Sequence, residues 1–394
     1  MPFIANVPTP FWRKCNKGMW YHKKDKMSEI KKIIIVAGEE SGDMYAAEII
    51  NDLSRNKNLK FFAMGSNKVK KTKATFLLDS SRLSVVGFFE ILKLYPKLLK
   101  SLNMMKKSIK EIKPDLLVLI DYQEFNMKLA KYAKSHGVKV LFYISPQVWA
   151  WREKRLKNIK NYIDEMAVIF PFENKYYKNL GIKSHYVGHP LVKNKDYKKE
   201  YSKKKNYIGF FPGSRISEVK NHLPIISKII DKMHLKNPKE KFLISRSSNI
   251  DKKIYSKYFS GKNHVSVVTN ENIYKTIETC KIAVAASGTI TLQIALKKIP
   301  MCVFYKLSNA TYFIIKFLIK TKFISLVNII LERKVVEEFI QGDASADNIT
   351  NEIEKINSNL NYRNNLINDI SMVEKILLDD TYKISISSLV EKSV

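Results

Sequence analysis

A chain of 394 residues, 45% of them hydrophobic and 27% charged, is long enough to bury two cores and has the composition of an ordinary folded protein. Its charge is unusual: 69 Lys and Arg against 37 Asp and Glu give +32, which favours anionic partners without choosing among them. Three scattered cysteines, histidines without metal spacing and no apolar run of about 18 residues exclude a disulfide framework, a zinc site and a membrane-spanning helix.

In residues 1–30 the basic residues follow the apolar ones, the wrong order for a secretory signal. With Met27 directly before SEIKK, this extension is expected to be disordered or an upstream mis-start. From Ile33 strand-like and helix-like runs alternate, and residues 31–192 form a first α/β domain. Its strands read IIIVA, FFAMG, LLVLI, VLFYI, MAVIF and HYVGH, unbroken apolar runs suited to parallel strands covered on both faces. The first turn, IVAGEESGD, lies where a phosphate commonly rests on backbone N–H groups, yet Glu39, Glu40 and Asp43 crowd it with carboxylates. They are expected to cap the following helix, leaving a turn that suits a hydroxyl-rich ligand better than a diphosphate. Residues 85–110 interleave apolar residues with lysines and carry no acid after Glu90. They fit a membrane-surface segment divided at Pro96, or equally a core helix with exposed lysines. LLVLI ends at Asp121, a carboxylate held at a strand terminus as a general base would be, or as a plain helix N-cap. Ser145-Pro146 opens a further helix bearing Trp149, Trp151, Arg152 and Arg155.

Residues 193–206 are a lysine-rich linker, and the rhythm restarts at YIGFF for a second domain over 207–394. Two of its turns suit an anion: Pro212-Gly213-Ser214-Arg215 ahead of a helix expected near Ser217, and Ser287-Gly288-Thr289 after KIAVAA. Either alone is an ordinary βα turn; two at strand ends facing one crevice favour a diphosphate. Residues 312–334, apolar and basic, are a second candidate for a membrane-surface segment, or else a core helix with exposed lysines.

The blocks VAGEESGD, LSVVGFFEIL, PDLLVLIDYQEFN, YISPQVWAWREKR, FPFENKYY, YVGHPL, FPGSRISEV, AASGTITLQIAL, PMCVFYK, SLVNII and VVEEFIQ, collinear from Lys31 to Gln341, resemble the lipid-A-disaccharide synthases. The resemblance implies an α/β fold of GT-B type, two Rossmann-like doubly wound domains facing a central cleft. It implies condensation of UDP-2,3-diacylglucosamine with 2,3-diacylglucosamine 1-phosphate to the β-1,6 disaccharide 1-phosphate and UDP, inverting, with neither metal nor cofactor. It places Asp121 as the base, and Gly213, Ser214, Arg215, Ser287, Gly288, Thr289, Gln293, Asn328, Glu338 and Gln341 around the donor. Glu39, Ser41, Gly42, Asp43, Glu90 and Arg152 fall on the acceptor side. Glu338 and Gln341, three apart, also fit a solvated helix face. The chain departs from the pattern at Gln123-Glu124, Phe142, Gln293 and Val327, where the family favours Pro-Asp, His, Glu and Pro. The implied partners are the two acylated sugars and an anionic membrane surface at the cytoplasmic face of the inner membrane, with a homodimer left open. The rival in the same class is another UDP-sugar enzyme, a transferase with a different acceptor or a 2-epimerase. A nucleic-acid-binding protein, which the charge alone permits, would need stacking aromatics along a basic groove, and no such module is visible.

Overall fold

The computed structural model describes residues 29–81, 88–146, 156–193, 195–201, 204–269, 272–307, 312, 321–379 and 383–394, with a short antiparallel ribbon pairing Arg13–Lys14 and Trp20–Tyr21. Two parallel sheets organise it. The first contains β1 (Lys31–Ala37), β2 (Leu59–Gly65), β3 (Thr75–Asp79), β4 (Leu116–Ile120), β5 (Lys139–Tyr143), β6 (Glu165–Val168) and β7 (Ser184–Tyr186), ordered β3-β2-β1-β4-β5-β6-β7. The second contains β8 (Tyr207–Phe211), β9 (Lys241–Arg246), β10 (Val265–Thr269), β11 (Cys280–Ala286), β12 (Met301–Tyr305) and β13 (Glu338–Ile340), ordered β10-β9-β8-β11-β12-β13. Both are doubly wound: the winding reverses beside the first strand, opening a crevice at the carboxyl ends of β1 and β4, and of β8 and β11.

The apolar runs follow from burial on two faces. In β4, Leu117 and Leu119 enter one helix layer while Leu116, Val118 and Ile120 enter the other. Alternate side chains of one five-residue strand thus serve two cores, and no position is left for a polar residue. In the second domain the helices Ile216–Lys236, Ala346–Ser358 and Leu360–Leu377 pack with the sheet into one continuous core.

Three features differ from the sequence expectations. The helix Phe88–Ile112 runs unbroken through Pro96, which removes one N–H without ending it. The lysine-rich linker is docked: Tyr197 is buried, with its hydroxyl donating to Glu374 at 3.0 Å, and the Tyr201 amide donates to Glu278. Lys297 closes on the same Glu278 carboxylate at 3.1 Å. The closing helix Ile386–Lys392 leaves the second domain and seats Ile386, Leu389 and Val390 in the core beneath β1. There Ser387 donates to Asp52 at 2.7 Å and Asn56 to Glu391 at 2.9 Å, so the chain end ties the two domains together.

Candidate active site

Register brings the candidate turns together in pairs. Ala37 lies opposite Ile120, so the Gly38-Glu39 turn and Asp121 leave the first sheet side by side. Phe211 lies opposite Ala285, so the 212–215 and 287–289 turns leave the second sheet in the same way.

In the first pair Asp121 and Tyr122 occupy consecutive left-handed conformations, with φ of 47° and 44°. Two such residues cost about 1–3 kcal/mol each, and the surroundings must hold them. The Asp121 amide donates to Tyr143 O at 3.0 Å, and Asn126 Nδ2 donates to the carbonyls of Asp121 and Ile120 at 2.7 and 3.2 Å. Tyr122 lays its ring on Phe125 and over Gly38, where any Cβ would sit 2.2 Å from the ring. Asp121 is not the N-cap of the next helix: that position is Tyr122, which makes no side-chain cap bond. Burial first, then the charge of Glu39, pushes the Asp121 carboxyl up to about 6.

The carboxylates of the first turn divide their labour differently from the expectation that they cap the helix. Glu39 is the N-cap residue but makes no side-chain cap bond, and it stands exposed beside Asp121. Asp43 is buried, its carboxylate accepting the amides of Ser66, Lys68 and Val69. Asp43 therefore braces the loop after β2 and is not a cleft residue. Gly65 allows that approach, since a Cβ there would meet Asp43 Oδ1 at 2.7 Å. A Cβ at Gly42 would meet Ala37 and Ile120 at ordinary contact distance, and Ser41 is exposed. Glu90 lies in the helix Phe88–Ile112, but its side chain is outside the described residues, as are Trp149, Trp151, Arg152 and Arg155. The Ser145 hydroxyl donates to buried Glu173 at 2.8 Å, and the helix expected after it lies outside the described residues.

In the second pair, Gly213 has φ of 103° and allows Glu218 to come close: a Cβ would lie 2.5 Å from Glu218 Oε2. The helix begins at Ile216, with Arg215 as its extended N-cap. Arg215 Nη1 donates to Glu218 Oε1 at 2.8 Å, and Tyr305 donates to the same oxygen at 3.0 Å. Glu218 is nearly buried while the Arg215 side chain stays 68% exposed, so the guanidinium is anchored at one end and open at the other. Burial works against its charge; Glu218, then Tyr305 and Glu39, more than offset that. Glu39 of the first lobe thus acts on Asp121 beside it and on Arg215 of the second lobe.

Gly288 precedes the helix Thr289–Leu296 with φ of 153°, and Thr289 is exposed at its first turn. Gln293 lies half-buried one turn further along. The Ser287 hydroxyl is occupied, donating to Ile324 O at 2.7 Å. Asn328, Glu338 and Gln341 are paired with groups of their own lobe. Fully buried Asn328 donates to Val336 O and Glu338 and accepts the amides of Val335 and Val336. Glu338, on a strand and not a helix, accepts the amides of Ile324 and Ser325, and Gln341 pairs through its amide with the backbone of Leu307. These three residues shape the loops behind the Ser287 turn. Sequence reasoning missed Glu218 and Tyr305; the three-residue spacing of Arg215 and Glu218 was the available signal.

The family model for lipid-A-disaccharide synthetase matches residues 33–383. Lipid-A-disaccharide synthase 1 of Legionella pneumophila (strain Paris) is 35% identical over 375 residues, covering 92% of this chain and 98% of that protein. The Geobacter sulfurreducens lipid-A-disaccharide synthase is 38% identical over 332 residues, 82% of this chain and 86% of that one. Among solved structures, UDP-GlcNAc 2-epimerase from Neisseria meningitidis bound to UDP-GlcNAc shares the fold at TM-score 0.60 and 12% identity, covering 91% of this chain and all of that one. The glycotransferase of kitacinnamycin does so at TM-score 0.61 and 12% identity, with 93% of this chain and 100% of that one covered.

Proposed function

The chain belongs to the lipid-A-disaccharide synthetase family, a family of glycosyltransferases, and from that premise we propose how its two crevices share the reaction. UDP-2,3-diacylglucosamine binds with its diphosphate at the Gly213–Arg215 and Gly288–Thr289 turns, and 2,3-diacylglucosamine 1-phosphate presents its 6-hydroxyl beside Asp121. Asp121 takes the hydroxyl proton as oxygen bonds to the anomeric carbon from the face opposite the leaving group, which inverts that centre. The bond to UDP breaks, and the charge developing on the diphosphate falls to Arg215 and the exposed amides of the two turns. The observation that carries this reading is the charge arrangement: a carboxyl raised to about 6 on one lobe, a half-anchored arginine on the other, and Glu39 acting on both. Product analysis with acylated and unacylated UDP-glucosamine tests it. Disaccharide and UDP in equal amounts from the acylated pair, with a chelator present, are expected; epimerised UDP-sugar formed without acceptor would favour the 2-epimerase reading.

Because only ionised Asp121 accepts a proton, kcat/KM is expected to fall as pH drops through about 6. Glu39→Gln removes a neighbouring negative charge, so this acid limb should move to lower pH. A limb that stays in place, or moves up, would show that another group controls it.

The acylated substrates require access from a bilayer, and we place the contact on the first half of the helix Phe88–Ile112. Among the described residues no helix is long and apolar enough to cross a membrane. Leu102, Met105 and Ile109 of this helix are buried, whereas Tyr95 and Leu99, one turn apart, are exposed beside Lys97 and Lys100. Such a face suits peripheral attachment at an anionic surface, the cytoplasmic face of the inner membrane for this pathway. Sedimentation with anionic vesicles is expected at low salt and should weaken for Lys97→Glu/Lys100→Glu. Failure to sediment at either low or high salt would refute the attachment.

A further inference from the structure

His222 lies in the helix Ile216–Lys236, fully buried, and plays no direct part in the reaction above. Its Nδ1 is 2.7 Å from the carbonyl oxygen of Pro212, and its Nε2 is 3.1 Å from the amide of Lys306. A backbone carbonyl only accepts and a backbone amide only donates. The ring is therefore the neutral tautomer with its proton on Nδ1. It is also wedged against Phe304 and Tyr305, with ring centres 4.7 and 5.6 Å away.

The consequence lies in the peptide unit that His222 grips. Oxygen and hydrogen of a trans peptide point in opposite directions, so drawing the Pro212 oxygen toward the helix turns the Gly213 N–H outward. The other end of the ring fixes the backbone just after Tyr305, whose hydroxyl holds the Glu218 carboxylate that in turn holds Arg215. One imidazole thus sets the orientation of the Pro212–Gly213 amide while packing beside the backbone that carries Tyr305.

We propose that His222 is a positioning residue for the donor diphosphate, holding the Pro212–Gly213 peptide so that its N–H faces the phosphate. This deepens the proposed donor site and rests on it. The two ring nitrogens can be separated by substitution. Asparagine places an N–H where Nδ1 stands and can still donate to Pro212 O; glutamine reaches the place of Nε2, accepts from Lys306 and leaves Pro212 O without its donor.

The test is calorimetric titration of UDP into the full-length wild type, His222→Asn, His222→Gln and Arg215→Ala, with acceptor KM measured alongside. His222→Asn is expected to keep its UDP Kd within about twofold of wild type, and His222→Gln to weaken it about tenfold, the scale of one lost hydrogen bond to a buried group. The acceptor KM should not change in either. A merely structural role would lower melting temperature in both variants without separating their Kd values. Should the glutamine variant fail to fold, His222→Leu, which makes neither bond, replaces it and is expected to weaken UDP equally. Retained affinity in His222→Gln, or equal loss in both variants, overturns the proposal. If Arg215→Ala loses UDP while His222→Gln keeps it, only the role of His222 falls; a wild type that does not bind UDP removes the donor site as well.

Discussion

Asp121→Asn is expected to lower kcat by roughly two to four orders of magnitude, the usual contribution of a general base, while leaving UDP affinity unchanged or slightly tighter. Asparagine is the appropriate replacement. It has the shape of aspartate, it tolerates the left-handed conformation at φ 47°, and it cannot accept the proton. Alanine would add backbone strain to the loss of the base and confuse the two. The ties that hold the turn are to the backbone of residue 121, namely its amide to Tyr143 and its carbonyl to Asn126, so they survive the change. Removing one negative charge from the cleft also removes repulsion of the diphosphate, hence the direction expected for UDP. Turnover near that of wild type would show that the 6-hydroxyl loses its proton elsewhere.

Arg215→Ala tests the other half of the proposed reaction, and kcat/KM is expected to fall by roughly 100- to 1,000-fold, the typical cost of deleting one donor to developing charge. The fold should tolerate it. Arg215 is largely exposed, so its ion pair contributes little to stability, and Glu218 keeps the Tyr305 hydroxyl and the amide at residue 215 as partners. Lysine should restore little. The guanidinium anchors one N–H on Glu218 and leaves most of its surface open, as the proposed phosphate contact needs, whereas an ammonium is a single compact charge. Steady-state kinetics with melting curves for Arg215→Ala and Arg215→Lys check both statements. A lysine variant as active as wild type would mean that charge alone suffices at this position.

The first layer of this arrangement could be read from the chain. Both switch-point crevices were visible because apolar strands end in glycine or aspartate turns at 37–39, 120–121, 211–214 and 286–289, and strand termini are local features. What the sequence hid was the partner of each polar side chain. Asp43 looks like its neighbour Glu39, yet one turn of helix rotates it onto the amides of residues 66–69, a contact that only the β2 loop can supply. Asn328, Glu338 and Gln341 are polar, late in the chain and part of family motifs, but their pairing with backbone groups of 307, 324–325 and 335–336 was hidden, because it depends on loop conformation, which has no periodic signature. The crossing of the last helix to the first domain was hidden for a related reason: Ile386, Leu389 and Val390 announce an apolar face but not the surface it will meet. His222 carried no signal at all, since its value lies in two backbone atoms ten residues upstream and eighty-four downstream.

A structure of the full-length enzyme with UDP would decide most directly which lobe receives the leaving group. Diphosphate oxygens are expected within about 3 Å of the amides at Gly213–Ser214 and Gly288–Thr289, with Arg215 turned onto them and Asp121 facing open cleft. UDP lodged against Gly38–Glu39, with nothing anionic at the second-lobe turns, would contradict this division of the lobes.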